Sequence, residues 1–191
     1  MKMKKAILLH FVAFSLVFSQ KAYSDNLFGE FKRLPDQIER GLSIGADFGF
    51  FYLTGQKGSV SNPGFQLAFT TGYDLFDYLS VEGVYILGIN EASPNDPNLS
   101  GGVNTFLFNL ALKGQYPLGR FYPFFEVGPG IHYSRPEFVP GENKKFNILF
   151  AGGLEYYTYL RHYSLYIKTS YSYIKLPIDA VTVSAGLKYT F

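Results

Sequence analysis

From Leu42 onward apolar side chains recur at every second position, the period of a strand with two unlike faces. In the first stretch Leu42, Ile44, Ala46, Phe48, Phe50 and Tyr52 alternate with Ser43, Gly45, Asp47 and Gly49. Next, Phe65, Leu67, Phe69, Thr71 and Tyr73 oppose Gln66, Ala68, Thr70, Gly72 and Asp74. Leu79, Val81, Tyr85, Leu87 and Ile89 oppose Ser80, Glu82, Gly88 and Asn90, and Phe106, Phe108, Leu110, Leu112 and Tyr116 oppose Thr105, Asn109, Lys113 and Gln115. The second half repeats the design, placing Glu126 and His132, Asn147 and Glu155, Ser164 and Lys168, and Ser184 and Lys188 opposite runs of Phe, Ile, Leu, Val and Tyr. Eight alternating segments of about ten residues predict an all-β fold, an eight-stranded antiparallel up-and-down transmembrane β-barrel.

A soluble sandwich also alternates, but it buries the apolar face and shows its charges to water. Here the charges share their face with the glycines, and small side chains suit the narrow lumen of an eight-stranded barrel. The bulky face then looks toward lipid. Connections alternate as well. Residues 75–78, 117–120 and 158–162 are short, whereas 54–64, 91–102 and 134–145 are longer and rich in Gly, Pro and Asn. A fourth loop, at about 174–179, is again short. Pro123 and Pro129 inside the fifth strand remove ladder donors and predict a bulge or local irregularity. Tyr73, Tyr116, Tyr156, Tyr163, Tyr189 and Phe191 are placed to form one aromatic girdle, and Tyr52, Phe65, Tyr133, Phe146 and Tyr173 the other.

Composition adds a compartment. Lys2, Lys4 and Lys5, an apolar run over 6–18 and Ala22-Tyr23-Ser24 before Asp25 predict a secretory signal peptide over 1–24. The apolar run falls short of the roughly 20 residues a spanning helix needs. Removing the segment takes away Lys2, Lys4, Lys5 and Lys21 and no acid, so the formal charge falls from +2 to −2. That leaves no electrostatic footprint for nucleic acid. The chain has no Cys, hence no disulfide framework, thiolate metal site or lipid-modified cysteine. Neither a metal nor a cofactor is expected. In residues 25–40, Leu27, Phe28, Phe31, Leu34 and Ile38 recur at helical spacing opposite charged residues, interrupted by Pro35. This leader reads as a flexible linker or as a periplasmic amphipathic segment docking an envelope partner. The barrel takes 41–191.

The last eight residues run Ser184-Ala185-Gly186-Leu187-Lys188-Tyr189-Thr190-Phe191. A polar residue, Gly two positions on, then alternating apolar or aromatic residues to a terminal Phe resembles the outer-membrane assembly signal. With the strands so placed, residues 42–191 are similar to the OmpA/OmpX-type small outer-membrane barrels. The resemblance implies that Ser184, Gly186, Tyr189 and Phe191 are read by the barrel-assembly machinery, and that outer-membrane lipid surrounds the chain. Because the sequence stops at Phe191, the periplasmic peptidoglycan-binding domain of OmpA itself is not expected.

Two constellations are candidates for chemistry. Asp47, Asp74, Glu82, Lys113, Glu126, Glu155, Lys168 and Lys188 all fall on the lumen face. Buried ions need partners, so they predict cross-strand pairs that plug the lumen, with an ion path or proton relay as the functional rival. His132-Tyr133-Ser134 and His162-Tyr163-Ser164 each set a base and a hydroxyl on one strand face. The outer-membrane lipid A deacylases use such a pair, but their motif continues with Asn, where this chain has Arg135 and Leu165. No orienting acid follows on the same strand, only Glu137 and Glu142 in the adjoining loop. The expected role is therefore non-enzymatic, a structural or interaction barrel, with a lipid hydrolase and a narrow pore as alternatives.

Overall fold

The computed structural model describes residues 40–55, 58–59, 62–91, 101–135, 144–158, 162–174 and 178–191. The predicted signal peptide, and the leader apart from Arg40, lie outside them. Nine strands form one sheet: β1 (Leu42–Gly55), β2 (Gly58–Ser59), β3 (Gly64–Phe76), β4 (Leu79–Glu91), β5 (Gly102–Gln115), β6 (Phe121–Arg135), β7 (Lys144–Tyr157), β8 (Tyr163–Ile174) and β9 (Ile178–Thr190). The two-residue β2 only folds back onto the end of β1. The other eight pair antiparallel with their neighbours in chain order, and β1 pairs with β9, so the sheet closes into an eight-stranded barrel. Closure leaves no unpaired edge, the condition for crossing a bilayer with strands.

The pairing fixes the barrel's size. Leu42 pairs with Tyr73, and the register continues through Val81, Leu112, Val127, Phe150, Tyr171 and Val181 to Tyr52. One circuit therefore climbs from residue 42 to residue 52 of β1. With strand spacing and rise at their usual values, that stagger tilts the strands by roughly 40°. The barrel strands are 12 to 15 residues long, longer than the sequence segments, because pairing continues past the apolar belt into the hairpins.

The faces separate sharply. Leu42, Ile44, Phe48, Phe50, Phe65, Phe69, Phe108, Leu110, Ile131, Phe146, Ile167 and Val183 are exposed on the outside, and the Ser, Thr, Asp, Glu and Lys positions between them are buried inside. Rings pair along the outer surface near both ends: Phe121 with Tyr156 and Tyr163 with Tyr189 at the end bearing the termini, Phe50 with Phe65 and Phe106 with Tyr133 at the other. One correction concerns the inner face. Phe51 and Leu53 of β1, Val84 and Ile86 of β4, and Leu107 of β5 point inward and are buried. The alternation of β1 and β4 therefore lapses in the half of the barrel remote from the termini, where the interior is apolar.

Of the two prolines of β6, Pro129 lies at a gap in the pairing with β5 and not at a bulge, while Pro123 keeps its place opposite Leu154. Asn109 pairs with Gly130 and Leu112 with Val127, an unshifted register, but the two intervening pairs at Gly128 and Pro129 are missing. Pro129 has no N–H to donate there. At the terminal end, Phe191 N donates to Leu42 O at 2.9 Å and Thr190 N to His162 O at 2.8 Å, tying the chain end to the first strand. Arg40 forms an ion pair with Asp77 in the turn between β3 and β4. Gly119 takes φ +67° in the turn between β5 and β6, a left-handed conformation that glycine adopts without strain.

Candidate functional site

The lumen is stratified. Its terminal half holds seven charged side chains contributed by seven different strands or turns of the register, and strand alternation delivers each of them inward. Glu155 of β7 is 0 % exposed and accepts three partners: Lys113 Nζ of β5 at 2.7 Å, Lys188 Nζ of β9 at 2.5 Å and Ser164 Oγ of β8 at 2.5 Å. Lys113 also meets Glu82 of β4 at 3.3 Å and lies over the Phe124 ring at 4.4 Å. Lys188 reaches the Tyr157 hydroxyl at 3.3 Å.

A second cluster centres on Asp47 of β1. Gln66 Nε2 of β3 donates to Oδ1 at 2.6 Å, the Tyr166 hydroxyl of β8 donates to Oδ2 at 2.9 Å, and Lys168 Nζ stands 3.4 Å from Oδ2. Lys168 is 4.0 Å from Glu126 of β6. Tyr166 and Lys168 thus reach across β9 to bind β1, fastening the seam at which the barrel closes. Between the two clusters lies a cavity of about 10 Å³ lined by Thr70, Glu82, Lys113, Glu126 and Lys168, room for about one water molecule. Asp74 is not part of either cluster. It sits at the terminal rim, half-buried, and accepts from Ser80 Oγ at 2.6 Å.

The other half of the lumen is closed by carbon. Phe51, Leu53, Val84, Ile86, Val103, Leu107, Leu149 and Ile174 form one buried cluster. Neutral polar groups thread it in pairs: Asn147 Nδ2 donates to Asn109 Oδ1 at 2.6 Å, Ser170 and Thr182 share a bond of 2.7 Å, and Asn90 Nδ2 donates to Phe51 O at 2.9 Å. No described Asp, Glu, Lys or Arg side chain points into this half below Lys145 at its rim. Sequence parity alone passes over these apolar positions, because Val84 and Ile86 fall between polar residues on the same face.

His132 and Ser134 of β6 both point inward beside this cluster, 1 % and 3 % exposed. Their neighbours across β5 are Leu107 and Thr105. His162 lies instead at the terminal rim, where its Nδ1 is 2.8 Å from Thr190 O and its ring stacks on Tyr189. Ser164 is spent on Glu155. Neither hydroxyl faces the lipid surface.

The four residues of the C-terminal motif occupy the closing strand. Ser184 and Gly186 face the lumen, opposite Gly49 and Asp47. A methyl group at Gly186 would fall 2.5 Å from Tyr166 Cζ and 2.6 Å from Ala46 O, so glycine there gives Tyr166 its place against Asp47. Tyr189 packs edge-on against both Tyr163 and Phe191, with centroids 4.9 Å apart in each case.

A closed barrel of eight strands, apolar outside and charged within, is a membrane-spanning barrel of the outer-membrane type. A family model described as the outer membrane protein beta-barrel domain matches residues 11–191, and the chain belongs to that family, which places it in the outer membrane. Among solved structures, the Neisserial surface protein A matches with TM-score 0.65 at 15% identity, covering 79% of this chain and 97% of that one. Ail, the attachment invasion locus protein of Yersinia pestis, matches with TM-score 0.53 at 14% identity over 80% and 100% of the two chains. The outer membrane protein OprG from Pseudomonas aeruginosa matches with TM-score 0.52 at 13% identity over 81% and 99%. At these identities the likeness shows the fold alone. No curated protein matches the sequence.

Proposed function

We propose that this protein is a non-enzymatic outer-membrane barrel with a structural or interaction role, carried by what it presents outside a sealed lumen. The observation behind this reading is the stratified interior. An ion path would need wetted polar groups from end to end. Here an apolar cluster that includes Phe51, Ile86, Leu107 and Leu149 caps a cross-paired charge network. A deacylase would need its hydroxyl where an acyl ester can arrive, and Ser134 is buried inside the barrel. Short turns of such barrels face the periplasm and long loops face out, so the charged half is periplasmic and the apolar half external. The partners read from the sequence fit this arrangement: the barrel-assembly machinery at β9, lipid around the belt and an envelope protein at the leader or loops. The test is conductance of the purified protein in planar bilayers. Little or no current is expected, and steady porin-like conductance from the unmutated protein would reject the sealed lumen.

A further inference from the structure

We propose that the external end of the β6–β7 hairpin is a binding site for the phosphate of an outer-leaflet lipid headgroup, formed by Arg135 and Lys144 above Tyr133. The distribution of cations points there. Outside the lumen, the described cations are Arg40 and Arg120 at the periplasmic end, and Arg135, Lys144 and Lys145 at the external end. All three described external ones belong to this single hairpin, which brings them together at one place on the rim.

Alternation aims two of them at the membrane. In β6, His132 and Ser134 are buried inside, so Tyr133 and Arg135 lie on the lipid side; in β7, Lys144 shares the outward face with Phe146 and Ile148. Lys145 turns to the lumen mouth. Lys144 is directly opposite Tyr133 in the register, which sets Arg135 and Lys144 on a cross-strand diagonal, about 7–8 Å apart. That gap suits one phosphate held from two sides. Below them, Phe106 packs on Tyr133 with centroids 5.8 Å apart, marking the level at which hydrocarbon gives way to headgroups.

Arg135 is also pre-positioned. Its Nε donates to the Tyr133 hydroxyl and its guanidinium lies 5.4 Å from that ring's centroid, so fewer rotamers are lost on binding. Both cations are exposed, and neither is paired with a carboxylate among the described residues. The described acids on the same face near this end, Glu91 and Asp179, stand on β4 and β9, and Asp179 is engaged by Tyr171. A phosphate at headgroup depth is attracted by both cations.

The site rests on the membrane placement of the barrel and not on the sealed lumen, so a conductance result leaves it untouched. The test uses the full-length barrel in phosphatidylcholine nanodiscs, titrated with bisphosphorylated lipid A and read by native mass spectrometry. Binding of lipid A that weakens roughly 25-fold in Arg135→Gln/Lys144→Gln supports the site, as do amide shifts confined to residues 133–135 and 144–146. Dephosphorylated lipid A should bind the unmutated barrel as weakly as phosphatidylcholine does. Equal binding by the double variant, or equal binding of dephosphorylated lipid A, overturns the proposal. Competition by inorganic phosphate at comparable concentrations overturns it too, since the site would then take a soluble anion. A heat-dependent gel shift like that of the unmutated protein shows that the variant is a closed barrel.

Discussion

Glu155 is the residue on which the charge network turns. It is the shared partner of Lys113 and Lys188, and Glu155→Gln leaves two buried ammonium groups facing a neutral amide. We expect a loss of roughly 3–5 kcal/mol in urea unfolding from lipid vesicles, partly relieved for Lys113 by Glu82 at 3.3 Å. Gly186 tests a different force. Gly186→Ala should displace the Tyr166 ring and press on the Ala46 carbonyl, at a cost of about 1–3 kcal/mol, and a Tyr166→Ala background should relieve only the ring's share of that loss. Refolding without the assembly machinery separates this packing effect from recognition of the C-terminal motif. His132 and Ser134 carry the opposite expectation. Lipid A from cells overexpressing the protein should keep all its acyl chains, and a loss abolished by His132→Ala and Ser134→Ala would make the protein a hydrolase.

At the scale of the element, β9 is both the last strand and the seam. Its external half pairs with β1 as far as Gly55, and its final residues are clasped by Leu42 O and His162 O. Changing Tyr189 and Phe191 to Ala removes the ring packing at the periplasmic rim. The double variant should accumulate in the periplasm as a protease substrate, and normal outer-membrane levels with an unchanged gel shift would defeat that expectation. The strands themselves were legible from alternation, because a sheet with lipid on one side and a lumen on the other imposes period two on nearly every segment. β6 shows where that reading stops. Its two prolines announce a missing donor, but whether the strand bulges or merely skips pairs depends on how closely β5 approaches, which Gly128 and Gly130 permit.

The whole molecule is a barrel packed in two layers of opposite chemistry. Phe51 and Phe48 lie on opposite faces of β1, the first 0 % and the second 60 % exposed. Phe51→Ala should open a cavity in the external half and cost about 3–5 kcal/mol. Phe48→Ala should cost distinctly less, since lipid chains fill the space it leaves. Similar losses for both would mean that the apolar cluster does not behave as a packed core.

By itself the sequence determined the eight strands, the faces they present, the closing motif and the inward aim of Asp47, Glu82, Lys113, Glu126, Glu155, Lys168 and Lys188. Each of these depends on local parity, and parity is written residue by residue along the chain. Only the tertiary structure decided the partners: Glu155 with lysines from β5 and β9, Asp47 with Tyr166 and Lys168 across the seam, and Asp74 with Ser80 at the rim. Those choices follow from the stagger of the strands, which lifts residues distant in sequence to a common depth. The apolar half of the lumen belongs to the same category. Phe51, Val84, Ile86 and Leu107 put carbon on the otherwise polar inner face of their strands; they become a core because closure brings them to one level, where water is excluded and carbon meets carbon.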